Sequence, residues 1–295
     1  MSRRPAVHLL RLSKAVNIKD QLRLEEALLR HDTRNWCLLK DGEPAGVMAR
    51  PTIVLGIGGK ASKLVELERV NQDRVPLLRR FSGGGTVIVD HDSLFITFIM
   101  NTEQVTPKQP YPRPIMEWTA GVYGPVFDRL RTTQTEPFQL RENDYVFGPL
   151  KFGGNAQSIV KDRWLHHTSF LWDFQHPNMD YLALPERRPE YRQNRCHGAF
   201  LTRLKEHTLQ QDRAALFREL EVELGVHFDV HIADEAEVRA EVIDDKLGGM
   251  VMWAEKARTR DVSPVEELAK HREQLQAMHS QQHPLKSTEM GKQNK

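Results

Sequence analysis

Arg79-Arg80-Phe81-Ser82-Gly83-Gly84-Gly85-Thr86-Val87 is the stretch on which the reading of this chain turns. Leu77 to Phe81 and Thr86 to Val89 both have β character, and three consecutive glycines stand between them. A plain hairpin needs one or two glycines, and each further one costs backbone entropy on folding. Three suggest that a phosphate or another molecule's backbone must approach closely. Arg80, directly before the loop, offers a planar and permanently charged fork suited to phosphate oxygens. A flexible hairpin with a solvated arginine pair fits the same residues, so the stretch alone leaves both readings open.

Downstream, Asn143-Asp144 precede Lys151-Phe152-Gly153-Gly154-Asn155-Ala156-Gln157. A lysine beside paired glycines at the start of a strand can reach into a cleft and neutralise a phosphoryl group or hold a carboxylate. An aspartate a few residues earlier could hold Mg²⁺, which binds through one or two carboxylates plus substrate phosphate. His166-His167 lie in an apolar strand, where neighbouring side chains face opposite sides, so at most one imidazole faces a site. Upstream, Gly56-Ile57-Gly58-Gly59-Lys60-Ala61 mimics a dinucleotide fingerprint. The next strand lacks the acidic ribose partner, and Ala61 stands where a P-loop needs Ser or Thr. A tight strand-to-helix turn is the better account of it.

The surrounding pattern predicts a first strand at Val7–Leu12, a helix from about Ile18 with Gln21–Arg30 amphipathic, and short strands at Trp36–Leu39 and Thr52–Leu55. A helix is predicted over Lys63–Arg74, then strands at Leu77–Phe81, Thr86–Val89 and Leu94–Met100, the last a continuous apolar run broken only by Thr97. A proline-marked loop from Pro107 to Pro114 leads to a helix over Ile115–Leu130, which Gly121, Gly124 and Pro125 weaken. Tyr145–Trp172 reads as strand, hairpin and strand. Pro177–Arg192 reads as connection. Phe200–Val242 reads as helical, with one strand at Val226–Val230. Several strands are joined too closely for parallel crossovers, so the fold class is α/β in the α+β sense: a mixed sheet with flanking helices.

The 295 residues include 39% hydrophobic and 28% charged, enough for a substantial core. With 42 basic and 40 acidic residues the formal charge is +2, which gives no reason to expect a nucleic-acid partner. Two cysteines, Cys37 and Cys196, exclude a disulfide framework and point to a reducing compartment. No apolar run approaches the roughly 18 residues that span a bilayer, so no membrane partner is expected. The cytoplasm is the expected location. Residues 1–19 are basic and free of acids, which is also compatible with an organelle transit peptide, although the strand followed at once by a helix fits better.

Together the motifs resemble those of lipoate–protein ligases. Arg80 with Ser82-Gly83-Gly84-Gly85-x-Val87, then Asn143-Asp144, then Lys151-Phe152-x-Gly154-Asn155-Ala156-Gln157, then His166-His167-Thr168 stand in that family's order. Leu24-Glu25-Glu26-Ala27-Leu28 and the Trp36…Pro51…Val54-Leu55-Gly56 segment resemble its opening. The resemblance covers about residues 7–195. It implies a fold shared with biotin ligases and class II aminoacyl-tRNA synthetases. It implies ATP, Mg²⁺ and lipoate as ligands, a lipoyl-AMP intermediate, and transfer to a lysine of an acceptor: a 2-oxoacid dehydrogenase E2 domain or the glycine cleavage H protein. By the same resemblance Lys151 is catalytic and touches both nucleotide and lipoate. Arg80, Gly83, Gly84, Gly85, Thr86, Val87 and Ile88 hold the nucleotide, Gly154, Asn155 and His167 hold the substrate, and Asp144 holds the metal. The family's aromatic and His-Asp after Val87 are replaced here by Ile88-Val89 before Asp90-His91-Asp92, and Ser158 follows Gln157 where some ligases have Arg.

The expected organisation is a catalytic domain over 1–195, a helical extension packed on it over 196–270, and a disordered tail over 271–295. Two other functions stay open: an ATP-independent lipoyl or octanoyl transferase with Cys196 as acyl carrier, flanked by Arg195 and His197, and a non-catalytic lipoyl-domain binding protein. A dinucleotide-dependent oxidoreductase is the least supported.

Overall fold

A computed structural model describes residues 4–44, 50–105, 109–186, 188–243 and 257–282. Its strands are β1 (Ala6–Leu12), β2 (Trp36–Asp41), β3 (Thr52–Leu55), β4 (Leu77–Arg79), β5 (Val87–Val89), β6 (Ser93–Asn101), β7 (Phe138–Arg141), β8 (Asp144–Phe147), β9 (Leu150–Ile159), β10 (Arg163–Leu171), β11 (Asp229–Ala233) and β12 (Arg260–Asp261). Its helices are α1 (Ile18–His31), α2 (Ala61–Leu64), α3 (Leu67–Gln72), α4 (Pro112–Leu130), α5 (His176–Met179), α6 (His197–Phe200), α7 (Arg213–His227), α8 (Glu235–Ile243) and α9 (Pro264–Gln282).

Eight strands form one sheet in the order β11-β1-β2-β6-β10-β9-β8-β7, and four form a second in the order β12-β4-β3-β5. Both are mixed. In the large sheet β11, β1 and β2 run parallel and the pairs from β2 to β7 are antiparallel. In the small sheet β3 and β4 are parallel, whereas β5 and β12 are antiparallel to their neighbours. The mixed architecture expected from the short connections is the one found.

Two cores explain why β6 reads as a nearly unbroken apolar run: both its faces are covered. On one face Phe98 and Met100 pack with Val122, Tyr123, Val126 and Phe127 of α4 and Leu220 and Leu224 of α7. On the other, Phe95 and Ile99 pack with Leu24 and Leu28 of α1 and with Val54, Leu78 and Val89 of the small sheet. The small sheet is thus pinned to the large one through α1. Asn17 caps α1 by accepting from the Asp20 N–H at 2.9 Å.

α4 survives Gly121, Gly124 and Pro125 because Ile115, Thr119, Val122, Tyr123, Val126, Phe127 and Leu130 repeat at helical spacing and are all buried. Its Pro112 and Pro114 fall in the first turn, where no intrahelical N–H is lost. Phe127 ties it to the sheet, in ring contact with Phe138, Phe147, Phe152 and Phe170.

Four local expectations are corrected. The helix expected over Lys63–Arg74 is two short ones, because Val65 forms a bridge to Leu182 and interrupts it. The strand expected at Val226–Val230 begins at Asp229, because the buried stripe of α7 carries that helix through His227. The extension over 196–270, expected to be helical with one strand, holds two: β11 adds to the large sheet and β12 to the small one. Residues 271–282, expected as the start of a disordered tail, continue α9, which rests on α2 and α3 with Leu268 against their apolar cluster. Residues 283–295 and Pro107 lie outside the described residues. Among those described, no helix is long and apolar enough to cross a membrane.

Candidate active site

β4 ends on two arginines that grip two loops. Arg79 donates to the carbonyl oxygens of Gly56, Ile57 and Gly59. Arg80 is buried, and its guanidinium donates to Ser82 Oγ at 3.0 Å and to the carbonyls of Gly83 at 2.6 Å, Gly85 at 2.7 Å and Val54 at 3.3 Å. Burial pushes this guanidinium down to about 10, with Glu25 acting the other way. Arg80 is therefore enclosed by the loop that it was expected to serve as an exposed phosphate clamp.

Its effect on the loop is directional. A peptide's carbonyl and the following N–H point opposite ways, so turning the Gly83 and Gly85 oxygens inward turns the Gly84 and Thr86 N–H groups outward. Among the described residues, the N–H groups of Gly84, Gly85 and Thr86 have no protein partner. The Thr86 hydroxyl oxygen is buried and likewise unpartnered. Successive free N–H groups of this kind form an anion-binding concavity. Val87 and Ile88 sit in β5, with the Ile88 side chain in the small sheet's own core, so they present backbone only.

The Gly56 turn supports the triglycine loop. A Cβ on Gly56 would lie 2.3 Å from the Gly84 oxygen, and Ile57 N–H donates to the Ser82 carbonyl at 3.0 Å. That contact accounts for the fingerprint-like glycines as a tight turn.

β9 brings the second motif to the same place. Gly83 N–H donates to the Gln157 carbonyl at 3.0 Å, and a Cβ on Gly84 would lie 2.8 Å from Ala156 Cβ. Two residues away on the same face, Gly154 is the open floor over which Lys151 extends: a Cβ there would lie 3.6 Å from Lys151 Nζ. Lys151 Nζ pairs with Asp144 Oδ1 at 2.6 Å. The irregular register between β8 and β9 places Val146 opposite Lys151 and Tyr145 opposite Gly153, a bulge that re-aims the lysine. Asn155 Nδ2 donates to the Asn143 carbonyl at 2.8 Å, fixing the turn that precedes Asp144.

The two histidines separate as strand alternation requires. His166 points into the α4 core: Gln157 Nε2 donates to its Nδ1 at 3.0 Å, and its Nε2 meets the Tyr145 hydroxyl at 3.0 Å. Burial holds His166 down at about 3, from the ordinary imidazole value of 6.5. Between those values the unfolded chain carries a proton that the folded chain rejects. Stability is therefore expected to be intact above pH 6.5 and to fall as pH drops toward 3, by up to about 5 kcal/mol from this group. Urea midpoints measured across that range should be steep for the parent chain and shallower for His166→Gln; equal slopes would assign the acid sensitivity to other groups. His167 faces the triglycine loop instead, with Nε2 3.0 Å from Ser82 Oγ.

The residues after 190 belong to this site. The Tyr191 hydroxyl donates to Asp144 Oδ2 at 2.8 Å, and Thr202 N–H donates to the Lys151 carbonyl at 2.9 Å. A domain boundary at 195 would cut through it. Tyr191 was invisible in the sequence, where it sits in a Pro- and Arg-rich connection. Asp144, expected to bind Mg²⁺, has one oxygen on the Lys151 ammonium and the other on Tyr191. A cation there would have to share both oxygens with the Lys151 ammonium and the Tyr191 hydroxyl. Among the described residues no cluster of three or more His, Cys, Asp or Glu side chains could hold a metal. Cys196 is exposed at the start of α6, and the neighbouring His197 takes a contact from Arg192 at 3.3 Å. Burial and Arg192 lower that imidazole to about 4. Cavities of about 490 Å³ beside Arg50 and Arg74, and about 800 Å³ beneath α9, are lined by none of these residues.

The family described as the lipoyl protein ligase A/B catalytic domain matches residues 17–220, more than half of the chain. The chain belongs to this lipoyl protein ligase family. The lipoyl ligase relatives include a Plasmodium falciparum protein named inactive lipoate–protein ligase 2, 28% identical over 181 residues, or 52% of this chain and 47% of that one. A probable lipoate–protein ligase A of Mycoplasma pneumoniae is 28% identical over 64% of this chain and 56% of its own length. The chain thus spans about half the length of these relatives. Among solved structures, P. falciparum LipL1 in complex with lipoate aligns with a TM-score of 0.60 at 19% identity, covering 84% of this chain and 73% of that one. A lipoate–protein ligase A bound with ATP aligns with a TM-score of 0.56 at 16% identity, covering 81% and 94%. The archaeal bipartite ligase studied with its E2 lipoyl domain, from Thermoplasma acidophilum, aligns at 0.57 with 17% identity, covering 82% and 92%. These likenesses establish the lipoyl ligase fold for the chain.

Proposed function

We propose that the chain activates lipoate with ATP to lipoyl-AMP and passes the lipoyl group to a lysine of an acceptor domain. One observation carries this reading. The Lys151 ammonium and the triglycine loop lie over the same face of β9, at Gly154 and Ala156, about 7 Å apart along the strand. That separation suits a carboxylate at one end and a nucleotide phosphate at the other.

In the first half-reaction a lipoate oxygen bonds to the α-phosphorus, and the bond from that phosphorus to pyrophosphate breaks with its electron pair leaving on pyrophosphate. Both reactants are anions, so positive charge must be supplied where they meet. Lys151 supplies it, and the Gly84–Thr86 N–H groups hold phosphate oxygens. Arg80 acts on the nucleotide through the loop it organises. Gly154 and Asn155 line the lipoyl end. In the second half-reaction the acceptor amine bonds to the acyl carbon, the bond to AMP breaks, AMP leaves, and the amine's proton passes to solvent. No step needs a protein nucleophile, and Mg²⁺ carried by the nucleotide phosphates would add to the positive charge that Lys151 supplies. An E2 lipoyl domain or the H protein is the acceptor in this reading. The likeness to a ligase studied with its E2 lipoyl domain supports the first.

A second reading, binding without catalysis, is favoured by the relative whose name marks it inactive. One assay separates them. The full chain is incubated with ATP, lipoate and a lipoyl-acceptor domain, each omitted in turn. Ligase chemistry releases pyrophosphate from ATP and lipoate alone and raises the acceptor's mass only with all three. Acceptor modification without ATP, when a lipoyl or octanoyl thioester replaces free lipoate, would assign the chemistry to Cys196, the thioester's thiol being the leaving group. Acceptor binding with neither product would leave the binding reading.

A further inference from the structure

Beneath the triglycine loop four buried side chains are joined in one line. Glu25, on α1, has no exposed surface. Its Oε1 accepts from Gln21 Nε2 and from Thr97 Oγ1, each at 2.8 Å, and its Oε2 lies 2.9 Å from His167 Nδ1. His167 Nε2 lies 3.0 Å from Ser82 Oγ, and Ser82 Oγ accepts from Arg80 Nε at 3.0 Å. With a neutral imidazole the line has a single self-consistent direction. A carboxylate can only accept, so His167 carries its proton on Nδ1. Its Nε2 is then a bare lone pair that takes the Ser82 hydroxyl proton. The Ser82 oxygen is left with lone pairs for the Arg80 guanidinium, which can only donate.

We propose that Glu25 and His167 are positioning residues. Through Ser82 they fix the direction in which Arg80 is held, and thereby the outward set of the Gly84–Thr86 N–H groups. The inference rests on the nucleotide reading of that loop. The line resembles a hydrolase triad in its distances, but Ser82 is only 1% exposed and its oxygen already accepts from a guanidinium. It is placed to hold Arg80, not to attack an acyl group. Thr97, the single polar break in the apolar run of β6, has its reason here as a third donor to Glu25.

Glu25→Gln tests the direction without changing shape. The amide can still accept from Gln21 and Thr97 through its oxygen, but it then presents an N–H₂ to His167 Nδ1. The proton on the imidazole moves to Nε2 and takes one Ser82 lone pair, the Ser82 hydroxyl hydrogen loses its acceptor, and the orientation that aims the other lone pair at Arg80 is no longer fixed. Nitrogen-15 NMR of histidine-labelled full chain reads the tautomer independently of activity. His167 should be neutral with its proton on Nδ1 in the parent and on Nε2 in Glu25→Gln. The opposite tautomer in the parent, or no change in the variant, overturns the proposal.

Kinetics of pyrophosphate release provide the second reading. Glu25→Gln and Ser82→Ala should each raise KM for ATP by about tenfold, with kcat within about twofold of the parent. The double variant should match the single ones, because both break one line. Additive losses, or an unchanged KM in Ser82→Ala, overturn the inference; the serine variant also serves if Glu25→Gln does not fold. A parent chain that releases no pyrophosphate sinks the ligase reading, and the tautomer measurement still decides the line itself. Covalent labelling of Ser82 by a fluorophosphonate probe would make it a nucleophile and overturn the positioning role.

Discussion

Lys151→Ala is expected to abolish lipoyl-AMP formation while leaving the chain folded. The ammonium reaches over Gly154, where the two anionic reactants are proposed to meet. Removing a preorganised donor from such a place typically costs about 10²–10³ in rate. The structural cost is smaller. Asp144 is buried and loses its counter-ion, but Tyr191 still donates to it, and the Lys151 side chain is 25% exposed, which discounts the pair for solvent screening. A loss of about 1–2 kcal/mol is expected from that balance. Adding Asp144→Asn should recover most of the stability and none of the activity. Urea unfolding and pyrophosphate release measure the two separately. Normal adenylate yield from Lys151→Ala would remove this residue from the mechanism.

Two substitutions one residue apart in the triglycine loop should separate folding from binding. Gly84 has φ +91°, and a Cβ there would lie 2.8 Å from both Ala156 Cβ and an Arg80 guanidinium nitrogen, and 3.1 Å from the Asn155 oxygen. Gly84→Ala is strained in its backbone and displaces both the arginine and β9. A destabilisation of about 2–4 kcal/mol is expected, with loss of nucleotide binding. A Cβ on Gly85 would meet nothing within 4 Å. Gly85→Ala should therefore unfold within about 0.5 kcal/mol of the parent and still bind ATP at least tenfold more weakly, because the methyl stands where a phosphate must approach the N–H groups. Titration calorimetry with ATP beside thermal unfolding gives both numbers. Full ATP affinity in Gly85→Ala would show that the loop's third glycine has no ligand to admit.

Much of this was legible in the residues. Three glycines where one would close a hairpin, and a lysine two residues before Gly153-Gly154, pointed to two segments that the structure brings together, with a Cβ colliding at Gly84 and Gly153. Alternation alone separated His166 from His167. Arg80 was harder. A guanidinium before a glycine loop looks the same in sequence whether it points at a ligand or curls back on the loop's carbonyls, and only burial distinguishes the two. Glu25 left a faint signal: Gln21, Glu25 and Leu28 fall on the buried face of α1, so two polar residues occupy core positions and need internal partners. Tyr191 left none, because its partner Asp144 is 47 residues away and no local pattern links them. The strand after α7 was misplaced for a local reason. Val226 and Val230 favour a strand, but burial of Leu220 and Leu224 against α4 outweighs that preference until the chain has passed His227.

Neighbouring side chains of extended backbone leave it on opposite sides, so Arg79, the last residue of β4, and Arg80, just beyond it, are sorted to their two loops by a single alternation. A one-residue slip of β4 against β3 would exchange them and drive a guanidinium into the packing of Leu77 or Leu78. Insertions and deletions should consequently be tolerated far less between Leu77 and Gly85 than in the surface connections on either side. Length variation within that span among related chains would mean that the pair can be re-threaded.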